Sequence, residues 1–350
     1  MSSDLERRLE GLLAEAPEPD PGAGEKALHR ALQAVQPVAA PRRGLRTAVL
    51  VCAALVVLLV IAAGSLGAAG ALHVSIGSKA KKPPVTTQLT LPRGANGASA
   101  VVDGRLSVVT NSGFRLQGLP VSTAALSPHA LNVAAGIGDS LVAMKPDGRQ
   151  AWSHPAGGRV VAIAWAPDGL RIAYVVQARH RFVLHVIYGN GIHDSTIDRS
   201  VRAVTPSWRA DNLAFAYVGA GGKAIVYDLG HKRHDVVGTA APVTHVAFAP
   251  TGATLAVTTA SSVAVGSKAV EVGNVEGLGW LRGRLAVAVR GGLTMLTANE
   301  TSHVAYAGRA VVAAVTPKLV IVRDGSRLFT GHTTLLTVPR QATVRDLQIG

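Results

Sequence analysis

One stretch in the middle of the chain shows the alternation of apolar positions that is typical of β-strands. Larger apolar side chains occupy every second position from 161 to 165 and again from 172 to 176, which is the period of a strand. Between the two runs lie Pro167, Asp168 and Gly169. Proline presets φ, aspartate bonds its own backbone and glycine accepts positive φ, so these residues favour a tight turn. The pattern predicts a β-hairpin.

The hairpin pattern recurs along the chain, with an aromatic residue near the end of its first strand in most copies. The repeated positions are Trp165, Pro167, Asp168 and Gly169, then Trp208 and Asp211, then Phe248, Pro250 and Gly252, and finally Trp280. A weaker copy surrounds Leu126. Repeats of about 40 residues with several strands each are typical of β-propeller blades. The sequence therefore predicts an all-β fold, a β-propeller over residues 98–350. Six blades fit its length best, with five and seven as alternatives.

The string WAPDGLRIAY at residues 165–174 resembles the TolB-type, WD-like propeller repeat, and residues 208–217 and 248–257 are degenerate copies. In that family the aromatic and small residues pack between blades. The resemblance therefore implies that the repeated residues maintain the fold and carry no chemistry. The WD dipeptide does not recur here, so the sequence departs from true WD repeats.

Residues 47–72 contain no charged side chain and exceed the roughly 20 residues that span a bilayer. They predict a single transmembrane α-helix. A buried globular helix and a cleaved signal peptide are the alternatives. The preceding segment of residues 1–46 is long for the start of a signal peptide, which favours an uncleaved anchor.

The segments beside this span predict a tail and a linker. Residues 1–46 contain two short stretches with helical apolar periodicity, which indicate a short helical tail. The tail resembles those of bacterial single-pass regulators, anti-sigma factors among them. However, Cys52 is the only cysteine, so the zinc motif of those regulators is absent. Residues 73–97 are rich in lysine, proline and glycine and predict a linker.

Positive charges on the two sides of the span are nearly equal, so the positive-inside rule decides little. Arginines lie closer to the apolar edge on the N-terminal side, and the family resemblance favours export. We therefore expect a single-pass cell-membrane protein with a cytoplasmic N-terminus and an extracytoplasmic propeller. Abundant alanine, glycine and arginine are typical of a GC-rich bacterial genome.

The formal net charge is +14, and nearly all of the excess lies after residue 80. Such a charge is compatible with an anionic partner such as lipid headgroups, a cell-wall polymer or nucleic acid. The favoured interpretation is a solvated basic surface, because scattered charges usually face water. No specific nucleic-acid binding is expected.

The sequence contains no recognisable catalytic or phosphate-binding motif. Histidines occur near acidic residues at two places: His231 and His234 lie near Asp228 and Asp235, and His180, His185 and His193 lie near Asp194. The first group lies next to basic residues on a predicted turn, and the second group is spaced by strand alternation and has no fixed metal-binding geometry. We therefore predict no catalytic residue, no cofactor and no metal site.

Together these patterns favour a non-enzymatic, membrane-anchored propeller that binds a protein or an anionic envelope component. Its contact with the membrane would be residues 47–72. One alternative is a transmembrane signalling regulator with an anti-sigma-like tail and a sensor propeller. The other is a propeller hydrolase or oxidoreductase with a site in the central channel. The sequence does not indicate an oligomeric state.

Overall fold

Short apolar strands separated by glycine-containing turns form a ring of antiparallel sheets. The computed structural model describes residues 88–349 except 233, 240, 297–300, 306–310, 316–318 and 331–332. The described residues form seven four-stranded sheets, the blades. Within each blade we label the strands a to d from the innermost to the outermost.

The first four blades have these strands, from a to d. Blade 1 contains Val344–Ile349 (β28), Gly97–Val102 (β1), Arg105–Thr110 (β2) and Arg115–Pro120 (β3). Blade 2 contains Ala124–Leu126 (β4), Val133–Ile137 (β5), Ser140–Met144 (β6) and Gln150–Pro155 (β7). Blade 3 contains Arg159–Trp165 (β8), Arg171–Ala178 (β9), Arg181–Tyr188 (β10) and Ser195–Val201 (β11). Blade 4 contains Ser207–Trp208 (β12), Ala214–Val218 (β13), Ala224–Asp228 (β14) and His234–Val237 (β15).

The remaining three blades follow the same order. Blade 5 contains His245–Phe248 (β16), Leu255–Thr258 (β17), Ser262–Val265 (β18) and Lys268–Glu271 (β19). Blade 6 contains Val275–Leu281 (β20), Arg284–Val289 (β21), Gly292–Leu296 (β22) and Thr301–Ala305 (β23). Blade 7 contains Val311–Val315 (β24), Val320–Asp324 (β25), Arg327–Thr330 (β26) and Thr333–Thr337 (β27).

The seven innermost strands form a closed circle around a central channel, because each one contacts the innermost strand of the next blade. The circle closes in blade 1, where the C-terminal strand β28 pairs antiparallel with β1. The predicted all-β propeller is therefore confirmed. Closure leaves no exposed edge at the inner strands, which removes a template for aggregation.

Burial decreases from the second strand of a blade to its outermost strand. All five residues of β13 and five of the six residues of β21 are buried, because both faces of these strands pack against neighbouring blades. The outermost strand β7 contains only exposed and half-buried residues. Small residues allow close approach of blades: a Cβ on Gly279 would lie 2.8 Å from the Cβ of Val315.

The prediction of six blades was wrong, and its seven-blade alternative is correct. That prediction assumed a spacing of about 40 residues, whereas blade 5 begins at His245 and blade 6 already at Val275. The shorter spacing arises because tight turns connect the strands of blade 5. The innermost strands of blades 1 and 7, β28 and β24, contain no aromatic residue, so the repeat does not mark them.

The described residues contain one 3-10 turn, Pro128–Ala130, and no α-helix. This part of the chain therefore offers no helical candidate for a membrane span. The predicted tail at 1–46, the predicted span at 47–72 and residues 73–87 of the predicted linker lie outside the described residues. Further along, Leu89 is buried against blade 7, and the Thr90 amide donates a hydrogen bond to the Leu335 carbonyl.

Candidate functional site

The repeated aromatic residues occupy equivalent places in successive blades. Trp165, Trp208 and Phe248 end strands β8, β12 and β16, and Trp280 is the penultimate residue of β20. All four therefore lie where strand a leads into strand b. We call the corresponding side of the ring the a–b face; it also carries the turns between strands c and d.

Three of the four aromatic residues connect neighbouring blades by the same hydrogen bond. Each indole Nε1 donates to a backbone carbonyl on the innermost strand of the preceding blade. The pairs are Trp165 with Ala125 at 3.1 Å, Trp208 with Ala164 at 3.0 Å, and Trp280 with Ala247 at 3.2 Å. At the fourth place Phe248 has no side-chain donor, and its amide instead donates to the Ser207 hydroxyl at 2.8 Å. The aromatic repeat thus ties the blades together.

The turn residues of the repeat shape the a–b face. The carboxylate of Asp168 accepts a hydrogen bond from the Leu170 amide at 2.8 Å, and Asp211 accepts the equivalent bond from Leu213 at 2.9 Å. Gly169 and Gly252 have φ of +72° and +73°, which glycine adopts without strain. Pro167 and Pro250 are exposed in the turns of blades 3 and 5.

A cavity of about 490 Å³ opens at the mouth of the channel on the a–b face. Apolar side chains of several innermost strands line it, among them Leu126, Trp165 and Trp208. The side chain of Gln348 crosses from β28 and accepts a hydrogen bond from the Leu126 amide at 2.8 Å. A second cavity of about 220 Å³ lies beside it, between Trp208 and Trp280. Mostly apolar cavities with a few polar groups suit an apolar ligand group.

Exposed large apolar side chains concentrate on this same face. Among the described residues, seven such side chains are exposed. Six of them lie in or beside a–b or c–d turns of blades 1–4: Phe114, Leu131, Leu170, Tyr188, Ile192 and Leu213. The seventh, Val236, lies on the outermost strand of blade 4. Exposed apolar side chains that are grouped on one face make that face a candidate interaction surface.

Titratable groups near this face are held in structural hydrogen bonds. The buried Tyr174 hydroxyl donates to Asp194 at 2.8 Å, and His185 Nδ1 lies 3.0 Å from the other oxygen of the same carboxylate. Burial raises the pKa of Tyr174, and the charge of Asp194 adds to this effect. Burial alone would raise the pKa of Asp194, but hydrogen bonds from His185 and Tyr174 hold it below its ordinary value.

Blade 4 repeats this arrangement with different partners. The hydroxyl of Tyr217 lies 2.9 Å from an Asp198 carboxylate oxygen and 3.1 Å from His234 Nδ1. His231, which the sequence places near His234, instead bonds Asp228 at 3.1 Å. Among the described residues, no three His, Cys, Asp or Glu side chains are arranged to hold a metal ion.

Comparison with known proteins adds little to this geometry. No protein-family profile matches the sequence, and no curated protein matches it. The structure is similar to the crystal structure of the C-terminal WD40 domain of Sif2. That alignment covers 67% of this chain and 77% of the other, with a TM-score of 0.49 and 14% sequence identity. The fold assignment therefore depends on the strand order of the seven sheets.

Sequence reasoning missed the exposed leucines and the tyrosine networks. In blades 2, 3 and 4 the fifth residue after the end of strand a is a leucine: Leu131, Leu170 and Leu213. This regular spacing could have identified the three leucines from the sequence. Tyr174 and Tyr217 likewise each follow the repeated tryptophan by nine positions. Their carboxylate partners Asp194 and Asp198 show no such regularity.

Asp346 on β28 offers a test of ring closure. Its carboxylate accepts a hydrogen bond from the Ala124 amide at 3.1 Å, and burial raises its pKa. A raised pKa means that the folded state binds the proton more tightly than the unfolded chain. Protonation of Asp346 therefore contributes its full stabilisation of the folded state below about pH 4. This stabilisation is lost as the pH rises through the folded-state pKa.

We expect Asp346→Asn to be at least as stable as the natural chain at pH 7, since the amide oxygen still accepts the bond and no charge is buried. The advantage should shrink as the pH falls towards about 4. Asp346 has a φ of +51°, which asparagine tolerates.

Glycine also tolerates this φ, so Asp346→Gly serves as the comparison. It should lower the free energy of unfolding by about 1–3 kcal/mol, because it leaves the Ala124 amide unpaired. Urea denaturation at several pH values measures both. An asparagine variant less stable than the glycine variant would contradict the assignment.

Proposed function

We propose that this chain is a non-enzymatic, membrane-anchored binding scaffold whose propeller presents its a–b face to a protein partner outside the cytoplasm. The observation that supports this proposal is the concentration of exposed apolar side chains on that face, beside the cavity at the channel mouth. The same surface has a rigid base, because tryptophan hydrogen bonds connect several of the blades beneath it.

A rigid surface favours binding, since little conformational entropy is lost when a partner docks. The turns of blades 3 and 4 are fixed to each other: the Asp168 amide donates to the Asn212 side chain at 2.9 Å, and the Arg171 guanidinium donates to the Asn212 carbonyl at 3.2 Å.

Site-specific photo-crosslinking tests the binding function. We expect a photoreactive phenylalanine analogue in place of Leu170 to give a discrete crosslinked adduct when the full chain is irradiated in its own cells. Leu170 is 62% exposed, and Val236 on the outer strand is 56% exposed, so Val236 is the matched control and should give no adduct. Adducts from both positions, or from neither, would contradict a partner on the a–b face.

The proposed membrane anchor is based on residues 47–72, which carry no charge. The anchor and its orientation are tested separately in the same cells. A phosphatase that is active only outside the cytoplasm should be active when fused after residue 350 of the full chain and inactive when fused ahead of residue 1 of the full chain. The reverse pattern would place the propeller in the cytoplasm. Activity of neither fusion in the membrane fraction would argue against the anchor.

A further inference from the structure

The side of the ring opposite the a–b face carries the turns between strands b and c and the connections from strand d to the next blade. We call it the b–c face. Its part on blades 3 and 4 is formed by residues 156–160, 178–182, 199–206, 219–224 and 238–244, which include no acidic residue. The cations of these segments, which we call the basic patch, are Arg159, Arg179, Arg181, Arg199, Arg202 and Lys223.

Backbone pairing places the arginines of blade 3 side by side. Arg159 at the start of β8 pairs with Gln177 of β9. Arg181 at the start of β10 pairs with Ala178, the residue before Arg179. The ends of four adjacent strands span about 15 Å. All four strands of blade 3 therefore bring their basic residues to one narrow edge.

Contacts between the blades extend the patch to blade 4. The Ala220 amide, in the b–c turn of blade 4, donates a hydrogen bond to the Ser200 carbonyl on β11 at 3.0 Å. The guanidinium of Arg202 lies beside the same turn, since a Cβ on Gly222 would lie 3.1 Å from its Nη2. Lys223 follows directly in that turn. The six cations thus belong to one continuous surface.

The cations of the patch are not neutralised by neighbouring carboxylates. Five of the six are exposed, and Arg202 is half-buried. Among the described residues none of the six forms an ion pair, whereas on the a–b face Arg149 and Arg209 each pair with an aspartate. The basic patch is therefore a surface of unpaired positive charge.

Few acidic residues lie near this surface. On the b–c face, Asp139 belongs to blade 2 and Glu271 to blade 5. Within blades 3 and 4, Asp198 lies in the middle of β11 and accepts a hydrogen bond from the Tyr217 hydroxyl. Asp235 lies on β15, two residues before its b–c end. Counting both against the six cations still leaves an excess of four positive charges.

The turn at the centre of the patch does not need an arginine for its geometry. Arg179 has a φ of +56°, which glycine adopts freely and a side chain opposes. In four other blades a glycine has positive φ in the b–c turn: Gly138, Gly222, Gly291 and Gly325. Blade 3 therefore carries an arginine against the backbone preference, which supports a use for its charge.

We propose that the basic patch binds anionic phospholipid headgroups and so turns the b–c face of the propeller towards the bilayer. This inference rests on the proposed membrane anchor and adds the face that meets the membrane. Residues 73–87 join the uncharged stretch to residue 88 and reach at most about 50 Å, which keeps the patch close to the bilayer. Each arginine or lysine near an anionic surface strengthens the attraction.

The patch is less suited to other anionic partners. None of the exposed large apolar side chains among the described residues belongs to its segments, and Phe182, their aromatic residue, is half-buried. Proteins bind single-stranded nucleic acid through aromatic side chains on which bases stack. Protein interfaces depend on aromatic and apolar anchors. A headgroup layer needs neither, because charge alone attracts it.

The test measures which face of the full chain contacts lipid. Cys52 is the sole cysteine, so Cys52→Ser gives a background in which Ser200→Cys or Leu213→Cys carries one fluorophore. The chain is reconstituted in vesicles that contain a lipid with a nitroxide headgroup, which quenches nearby fluorophores. With about one third phosphatidylglycerol, position 200 should be quenched about threefold more than with phosphatidylcholine alone. Position 213, on the a–b face, should be quenched equally in both.

Salt and charge substitutions identify the cause. The extra quenching should vanish at about 1 M salt, where the Debye length is about 3 Å. Arg179→Gln with Arg181→Gln should remove it at low salt. The matched control is Lys145→Gln with Lys232→Gln, which removes two exposed cations from turns of the a–b face and should leave the quenching unchanged. Thermal unfolding should give the same midpoint for both pairs.

Four results would overturn the inference. They are equal quenching of position 200 in the two lipid compositions, equal loss of quenching in the patch and control variants, patch-dependent binding of a single-stranded oligonucleotide at physiological salt, and a patch-dependent protein adduct from a photoreactive residue in place of His180 in cells.

Failure of the proposed anchor is recognised separately, because flotation of the chain with vesicles at about 1 M salt depends on the anchor alone. A chain that does not float there rejects the anchor, whereas patch-dependent flotation at low salt would still support the headgroup contact. A chain that floats but shows no patch-dependent quenching rejects the headgroup contact and leaves the anchor intact.

Discussion

Ending the chain at Thr343 is expected to abolish cooperative folding of the propeller. This truncation removes β28, which is the innermost strand of blade 1 and pairs with β1. It leaves the edge of β1 unpaired and removes Leu347 from the core between blades 7 and 1. It also removes the acceptors that hold the amides of Ala124 and Leu126.

The size of this effect follows from topology. Every other blade is built from consecutive strands, but blade 1 exists only when the two ends of the propeller meet. An open ring leaves buried backbone groups without partners, at about 1–3 kcal/mol each, and several are affected at once. The total free energy of unfolding of a protein is about 5–15 kcal/mol, which is too small to compensate for the summed cost of these unpaired groups. Thermal unfolding followed by circular dichroism measures it.

Removing residue 350 alone serves as the matched control and should leave the unfolding midpoint unchanged. A synthetic peptide of residues 341–350 added to the truncated chain should restore part of the transition, because it supplies the missing strand. A truncated chain with the midpoint of the full chain would show that the ring does not depend on this closure.

The second large effect is expected for Tyr217→Ala. Tyr217 is 1% exposed and packs between blades 3 and 4, so its removal leaves a cavity that the surrounding strands cannot fill. Loss of a large buried aromatic side chain costs about 3–5 kcal/mol. The substitution also deprives Asp198 on the outermost strand of blade 3 of its bond to the hydroxyl. Chemical denaturation measures the free energy of unfolding.

Two further variants separate packing from hydrogen bonding. Tyr217→Phe retains the ring and should cost only about 1–2 kcal/mol, the contribution of the hydroxyl. Tyr188→Ala changes the same residue type at a position that is 43% exposed and should cost less than about 1 kcal/mol. If the phenylalanine variant is as unstable as the alanine variant, the network with Asp198 and His234 dominates and the packing argument is wrong.

Much of the fold could be predicted because it depends on local patterns. The alternation around Trp165 and the turn at 167–169 specify a hairpin through backbone chemistry alone. Repetition of that unit then indicates a propeller, since one blade buries its apolar faces only against another.

The number of blades and the exposed apolar side chains of the a–b face could not be predicted in the same way. Blade 7 has Val311–Val315 as its innermost strand, whose small apolar residues give no sign of a new blade. The exposure of Leu170 is equally hidden, because an apolar residue in a turn is buried or exposed according to what packs on it. The pairing of Tyr217 with Asp198 joins two blades and has no fixed spacing along the chain.

The amino-acid sequence by itself determined the repeating hairpins, the all-β class and the uncharged stretch at 47–72, because each depends on neighbours along the chain. Only the tertiary structure decided that seven blades close the ring, that the tryptophans bond the preceding blade and that Leu131, Leu170 and Leu213 are exposed on the same face. These features join residues far apart in sequence. Their geometry is set by the packing of blade against blade, which no local pattern encodes.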